Sequence, residues 1–215
     1  MRRVRVKVCG ITNREDLEAA VDAGADALGF VVDVPASPRS IALDRARDLV
    51  EATPPFVQSV LVSVFDTVNQ LETLCSCVAP DAVQVAGTLA RDAVCRQLRG
   101  IRVIQAVAVN DEADVVLPFA AHCDAVLTDS CVPGAHGGTG KPHEWNVSRA
   151  IRELIAPTPL ILAGGLTPGN VRAAIKTVRP YAVDVSSGVE ARAGIKDPAK
   201  IRAFIEAVKE ASDGL

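Results

Sequence analysis

Aromatic residues, methionine and histidine are scarce in this chain. Phe, Trp and Tyr together make up 3% of its 215 residues, and Met, Trp and Tyr occur once each. The hydrophobic content of 49% must therefore come mainly from Val, Ile, Leu and Ala, and it is enough for one sizeable core. Because the three histidines follow no metal-site pattern and the six cysteines include no C-x-x-C pair, the sequence predicts no metal site.

Long apolar runs and clusters of one charge are also missing. No stretch reaches about 18 uninterrupted apolar residues, and the N-terminus lacks the apolar core of a signal peptide, so we expect no membrane partner. The net charge is −3, and no patch of basic and aromatic residues indicates a nucleic-acid partner. Thiols without a pairing pattern are typical of a reducing compartment. We therefore expect a soluble, cytoplasmic protein.

The chain does contain a regular alternation of strand-like and helix-like stretches. Strands separated by helices of about 10–15 residues predict βαβ units and a parallel sheet. The predicted strands are Val4–Cys9, Ala27–Val31, Ser59–Phe65, Ala82–Val85, Arg102–Val107, Ala125–Asp129, Leu160–Ala163 and Ala182–Ser186. The predicted helices are Glu15–Ala23, Leu43–Ala52, Val68–Val78, Leu89–Leu98, Glu112–Ala121, Val147–Ile155, Pro168–Val178 and Pro198–Ala211.

A short repeat favours a closed arrangement of these eight strands. Similar residues mark the entry to strands two, four, six and eight: Ala25–Leu28, Pro80–Val83, Cys123–Val126 and Pro180–Val183. Such a repeat fits a closed barrel better than an open sheet, whose edge strands differ from its central ones. We expect a single-domain (βα)8 TIM barrel over residues 1–215, with its active site at the C-terminal ends of the strands.

Two side chains capable of acid–base chemistry end predicted strands. Cys9 ends the first strand and is followed at once by Gly10, and Asp129 ends the sixth after an apolar run. Burial there would raise the pKa of the Asp129 carboxyl and keep it a proton donor near neutral pH. Position alone also allows an inert buried thiol and a carboxylate that only caps a helix or forms an ion pair.

Glycine-rich loops follow the last strands, where barrel enzymes commonly bind phosphate on backbone N–H groups. Gly164 and Gly165 follow the seventh strand, and Ser187 and Gly188 follow the eighth. The alternative is a pair of tight turns. A third such loop at 137–140, which contains Gly138, is predicted either to add N–H donors or to act as a lid.

Charged and polar side chains near these ends complete the candidate site. Arg39, in the loop after the second strand, suits a planar carboxylate, although a solvated loop charge is the commoner case. Strand alternation places Lys7 on the same side as Cys9, and a buried lysine needs a partner, for which we predict Asp184. We hypothesise that Lys7 favours the Cys9 thiolate. Gln84 is a candidate substrate contact by position alone.

Six motifs stand in a fixed order along the chain: Lys-Val-Cys-Gly-Ile-Thr at 7–12, Gly-Ala-Asp-Ala-Leu-Gly-Phe at 24–30, Ser-Pro-Arg at 37–39, Gly-Gly-Thr-Gly-Lys at 137–141, Ala-Gly-Gly-Leu at 163–166 and Val-Asp-Val-Ser-Ser-Gly-Val-Glu at 183–190. Together they resemble the phosphoribosylanthranilate isomerase family over nearly the whole chain. The resemblance implies a (βα)8 barrel of tryptophan biosynthesis that catalyses an Amadori rearrangement of N-(5-phosphoribosyl)anthranilate without metal or cofactor.

The resemblance also implies roles for individual residues. Cys9 matches the family's general base, Asp129 its general acid, and Arg39 the residue that holds the anthranilate carboxylate. Some positions depart from the family pattern: Ala86 and Ser40 stand where histidine or an aromatic residue is frequent, and the loop at 31–35 is one residue longer and lacks the common aromatic. These departures affect the walls of the anthranilate pocket. Both monomers and homodimers occur in the family.

Three alternatives remain open from the sequence. The first is a related phosphosugar barrel, such as the isomerase of histidine biosynthesis or a bifunctional version, but that enzyme would end its first strand with an aspartate. The second is a catalytically inactive barrel that binds a phosphate ligand and acts as a regulator. The third is a purely structural thiol at Cys9, with the phosphate site serving another reaction.

Overall fold

A computed structural model describes residues 3–65, 67–86, 100–109, 122–130 and 144–214. The helices predicted at Leu89–Leu98 and Glu112–Ala121, and the glycine-rich loop with Gly138, lie outside the described residues. None of the described helices is both long and apolar enough to cross a membrane.

Eight parallel strands close into a barrel, because β1 pairs with β2 on one side and with β9 on the other. The described strands are β1 (Arg5–Cys9), β2 (Ala27–Val32), β3 (Ser40–Ile41), β4 (Gln58–Ser63), β5 (Ala82–Ala86), β6 (Arg102–Val109), β7 (Ala125–Ser130), β8 (Leu160–Leu162), β9 (Ala182–Val185), β10 (Glu190–Arg192) and β11 (Ile195–Lys196). The predicted (βα)8 barrel is thus confirmed, with strand ends shifted by one or two residues. The short β3 and the antiparallel β10–β11 hairpin were not predicted.

Six α-helices lie in the described residues: α1 (Arg14–Ala23), α2 (Leu43–Glu51), α3 (Val68–Val78), α4 (Trp145–Ile155), α5 (Val171–Val178) and α6 (Pro198–Ser212). The starts of α1 and α6 follow local side-chain chemistry, because Asn13 and Asp197 accept hydrogen bonds from backbone N–H groups there. The predicted start of α5 at Pro168 is wrong by three residues. Asn170 instead bonds Thr167 N and Gly165 O, which holds the preceding residues in a turn.

Alternation along the strands separates two apolar layers. Val6 and Val8 of β1, and Val4 just before it, face the helices and belong to the main core. A second cluster of smaller side chains fills the barrel itself, with Val60, Ala82, Ile104, Leu127 and Ile161 among its members. Along each strand, residues that face the barrel interior alternate with residues that face the helices. Inward-facing side chains at the carboxyl ends of the strands therefore all point into the same end of the barrel.

Candidate active site

The carboxyl end of β1 is shaped around the Cys9 thiol. Cys9 pairs with Gly29 of β2 across the sheet, and a Cβ built on Gly29 would lie 2.7 Å from the Cys9 Sγ. Gly10, at φ +77°, turns the chain where a Cβ would lie 2.6 Å from the Arg39 Cδ. Only glycine therefore fits beside the buried thiol at both places, and Gly29 is a site residue that the sequence analysis did not single out.

Lys7, two residues before Cys9, is buried and bonded to two partners. Its Nζ lies 3.0 Å from Asp184 Oδ1 and 3.0 Å from Gln84 Oε1. The pairing follows from register, since Lys7 stands opposite Asp184 in the β1–β9 ladder. The predicted pair of Lys7 and Asp184 is confirmed, and Gln84 joins it.

The predicted effect of Lys7 on the Cys9 pKa is confirmed in direction, although burial has the larger effect. Burial raises the pKa of the Cys9 thiol, and the positive charges of Lys7 and Lys196 lower it without cancelling that effect. The net shift is upward, which favours the protonated thiol. Lys7 lowers the Cys9 pKa, as hypothesised, but the loss of hydration on burial raises it by more.

Asp129 lies at the inward-facing end of β7. Burial and the negative charge of Asp184 raise the pKa of its carboxyl to about 6, against the opposing effects of the Ser130 N–H and Lys7. The Ser130 N–H donates to Oδ1 over 2.7 Å, and a Cβ on Gly164 would lie 3.0 Å from the same oxygen. The predicted upward shift is confirmed, and its cause is the predicted one.

Arg39 is held by a protein carboxylate that the sequence analysis had assigned no role. Its Nε and Nη2 donate to Glu190 Oε1 and Oε2 over 2.7 and 2.8 Å. Lys196 Nζ donates to the same Oε1 over 3.0 Å. Both partners lie on the β10–β11 hairpin, whose sequence signal is a charged residue at each end and a glycine, Gly194, at the turn.

The two glycine-rich loops after β8 and β9 are in direct contact. A Cβ on Gly188 would overlap the carbonyl oxygen of Leu166, and Gly164 and Gly165 adopt φ of +87° and +62°. Among the described residues, the backbone N–H groups of Gly164, Gly165, Ser187 and Gly188 donate to no backbone carbonyl. Adjacent donors of this kind suit a phosphate.

Two of the departures from the family pattern are visible at the rim. Ala86, the last residue of β5, is exposed. Ser40 begins β3, and its Oγ accepts a hydrogen bond from Val34 N over 3.1 Å, which ties the loop after β2 back onto itself. Ser40 therefore shapes the loop that carries Arg39.

These features define a (βα)8-barrel enzyme with a carboxyl that titrates near neutral pH and a buried thiol at the same end of the barrel. The chain matches the family model of N-(5'phosphoribosyl)anthranilate (PRA) isomerase over residues 6–207. It is 46% identical over 204 residues to the N-(5'-phosphoribosyl)anthranilate isomerase of Natronomonas pharaonis, with 94% of this chain and 97% of the relative covered. The corresponding protein of Haloferax volcanii is 45% identical over 211 residues, covering 96% and 94%.

Solved structures agree. The phosphoribosyl anthranilate isomerase of Thermotoga maritima superposes with a TM-score of 0.86 at 42% identity, covering 96% of this chain and 99% of that one. Another isomerase of this kind, in complex with reduced 1-(o-carboxyphenylamino)-1-deoxyribulose 5-phosphate, gives 0.83 at 39% identity over the same shares. The chain belongs to the phosphoribosylanthranilate isomerase family. It is an isomerase of tryptophan biosynthesis, and its reaction is the Amadori rearrangement of N-(5'-phosphoribosyl)anthranilate.

Family membership also decides between the alternatives left open by the sequence. It favours this isomerase over the barrel of histidine biosynthesis and over an inactive binding barrel. The third alternative, a purely structural thiol at Cys9, concerns the role of one residue and requires an experiment.

Proposed function

We propose that Asp129 is the general acid and Cys9 the general base of this isomerisation. Asp129 protonates the furanose ring oxygen, and the ring opens to a Schiff base. Cys9 then removes the C2′ proton, and the enolamine tautomerises to the ketone. The main support is the placement of both groups at inward positions at the carboxyl ends of β1 and β7, with Gly29 and Gly164 leaving room for them.

The raised pKa values fit the order of these two steps. With a pKa of about 6, the Asp129 carboxyl retains its proton in about a tenth of molecules at pH 7, enough for a general acid. The Cys9 thiol starts protonated. The positive charge of the ring-opened Schiff base then adds to that of Lys7 and Lys196 and lowers the pKa of the thiol, which favours the thiolate when the base is needed.

The substrate is proposed to be held at both ends. Arg39 binds the anthranilate carboxylate, and the N–H groups of Gly164, Gly165, Ser187 and Gly188 bind the phosphate. Holding a substrate at two ends can supply orientation worth on the order of 7–11 kcal/mol of the barrier at best. The proposed contribution of Gly138 to phosphate binding concerns a residue outside the described part of the chain.

Lys7, Gln84 and Asp184 are proposed to support the site from below. The buried Lys7 bonds both of the other side chains, and so it fixes the layer of polar side chains beneath Cys9. Its charge opposes the effect of burial on the Cys9 pKa, while Asp184 raises the pKa of Asp129. One buried ion pair thereby acts on both the acid and the base.

The decay of anthranilate fluorescence tests the two catalytic roles, with purified protein added to freshly formed phosphoribosylanthranilate. Cys9→Ala and Asp129→Asn should abolish turnover, yet both should still bind the reduced product analogue. Cys77→Ala and Asp44→Asn, which change an exposed thiol and an exposed carboxyl, are matched controls that should keep wild-type rates. If Cys9→Ala retains turnover, the thiol is structural and the assignment of the base is wrong.

Compartment, domain organisation and assembly are also proposals. Cys9, Cys75, Cys77 and Cys123 are free thiols in the described residues, which supports the cytoplasm as the compartment. The whole chain, 1–215, is taken as one catalytic domain that acts on a small phosphosugar without a nucleic-acid or membrane partner. Sedimentation at several concentrations separates a monomer from a homodimer, the two states known in the family.

A further inference from the structure

The hairpin after β9 brings two opposite charges to the Arg39 side of the site. Glu190 and Lys196 face each other across the β10–β11 ladder. The Glu190 carboxylate is bonded by two cations at once, since its Oε1 accepts from both Arg39 Nε at 2.7 Å and Lys196 Nζ at 3.0 Å. Lys196 is fully buried and also donates to the Ser186 carbonyl over 3.2 Å. Of the two cations, Lys196 is therefore the fixed one.

The hairpin that carries this pair is itself anchored to the loop after β1. Thr12 Oγ1 donates to the Gly194 carbonyl over 2.7 Å, and the Lys196 N–H donates to Asp16 Oδ2 over 2.8 Å. Because Asp16 is buried in the first turn of α1, the hairpin is tied to the element that follows Cys9. Glu190 is consequently held in place by contacts within the protein itself.

The pairing geometry leaves one edge of the guanidinium for another anion. Arg39 contacts Glu190 side-on, through Nε and Nη2. A guanidinium has five N–H groups, so the end-on edge, formed by Nη1 and the second hydrogen of Nη2, remains. Among the described residues Nη1 has no hydrogen-bond partner. A second carboxylate can bind there while Glu190 stays in place.

The net charge of this group also favours the binding of one anion. Arg39 and Lys196 carry two positive charges and Glu190 one negative charge, which leaves a net charge of +1. One further carboxylate neutralises the group. A lone arginine in this loop would carry the same net charge, but nothing would fix its orientation.

We propose that Glu190, supported by the buried Lys196, is a positioning residue that orients Arg39 to receive one carboxylate of the substrate end-on. This inference rests on the proposed role of Arg39 as the carboxylate-binding residue. The Glu190 side chain does not touch the substrate. It acts by bridging two cations that would otherwise repel each other.

A neutral side chain at position 190 removes the negative charge of that bridge. In Glu190→Gln the amide oxygen can still accept from Arg39 Nε and Lys196 Nζ, but it carries no negative charge to offset them, and the NH2 group faces the Nη2 donor of Arg39. Repulsion then moves the cation that is free to move, which is Arg39 on its partly exposed loop and not the buried Lys196. The variant should therefore lose recognition of the carboxylate although the net positive charge has increased.

Calorimetric titration with two ligands tests this consequence. The ligands are reduced 1-(o-carboxyphenylamino)-1-deoxyribulose 5-phosphate and its phenylamino analogue without the carboxylate. Glu190→Gln should bind the carboxylated ligand roughly tenfold more weakly, as expected for a lost charge-assisted pair, and the other ligand within about twofold of wild type. Glu18→Gln, which removes the partner of Arg14 in an exposed pair of 2.9 Å, is the matched control and should change neither affinity. An equal loss for both ligands, or no loss, overturns the inference.

Variants of Arg39 keep the test decisive even if Glu190→Gln folds poorly. Arg39→Lys keeps the charge but has no fork to pair with two carboxylates, so it should lose the preference for the carboxylated ligand nearly as fully as Arg39→Ala. A wild-type preference in Arg39→Lys overturns the positioning role of Glu190. A wild-type preference in Arg39→Ala overturns the assignment of Arg39 itself, and the inference falls with it.

Discussion

Replacement of Lys7 by Met should destabilise the protein more than any surface substitution. Lys7 and Asp184 are both buried, and their charged atoms lie 3.0 Å apart. Removing one partner of such a pair leaves an uncompensated buried charge, which costs about 3–5 kcal/mol of the free energy of unfolding. A chain of this size should then melt about 6–20 °C lower, at about 2–4 °C for each kcal/mol.

Urea denaturation of four proteins tests this reasoning: wild type, Lys7→Met, Asp184→Leu and the double variant. The double variant replaces the ion pair by apolar groups, so its free energy of unfolding should return to within about 1–2 kcal/mol of wild type. If the two single losses simply add, the pair is not the cause and the argument is refuted. Arg14→Met, which breaks an exposed pair of 2.9 Å, is the control and should cost less than about 1 kcal/mol.

The same Lys7→Met protein provides a second measurement that does not depend on stability. Lys7 lowers the pKa of the Cys9 thiol, against the larger raising effect of burial. Loss of the lysine should therefore move the pH profile of thiol alkylation at Cys9 to higher pH. An unchanged profile would show that the two side chains do not interact as the structure indicates.

Three further perturbations have definite outcomes. The Asp129 carboxyl has a pKa of about 6 in the folded protein and 3.8 ordinarily, so the folded state binds the extra proton between these values and stability falls as the pH rises through them. Asp129→Asn should thus be more stable than wild type by about 1–3 kcal/mol at pH 8 and equal near pH 3 in thermal melts; the same difference at both pH values contradicts the assigned cause. Gly29→Ala places a Cβ 2.7 Å from the Cys9 Sγ and should cost about 1–3 kcal/mol of stability. That cost should shrink in a Cys9→Ala background, and a cost that stays constant would exclude the thiol as the obstacle. Gly188→Ala should weaken binding of inorganic phosphate by about tenfold or more, because its Cβ overlaps a backbone carbonyl of the neighbouring loop and the N–H groups must move. Gly169→Ala, whose Cβ meets nothing closer than 3.8 Å, should bind phosphate as wild type does.

The barrel and the positions of the proposed acid and base could be predicted from the sequence for a local reason. Side chains alternate along a strand, and parallel strands that alternate with helices all end at one edge. Knowing that β1 ends at Cys9 and that β7 carries Asp129 was enough to place the two groups together. The pair of Lys7 and Asp184 could be predicted in the same way, since β1 and β9 must be neighbours if the barrel closes.

The role of Glu190 could not be predicted in this way. It lies 151 residues from Arg39 along the chain, and the hairpin that carries it belongs to no repeat of the barrel. The β10–β11 segment is short, and a charged residue in such a segment is usually solvated. The pairing of Glu190 with Arg39 requires the loop after β2 and the hairpin after β9 to meet at the same end of the barrel. No local sequence pattern encodes that contact.

The sequence by itself determined the closed order of strands, the identity of the thiol and the carboxyl, and the lysine that needs a buried partner, because each follows from a period of two residues and from the cost of burying a charge. Only the tertiary structure decided whether the Cys9 thiol is charged, because its pKa is a balance between burial and the fields of Lys7 and Lys196. It also decided which carboxylate holds Arg39, because that depends on loops that are distant in sequence and adjacent in space.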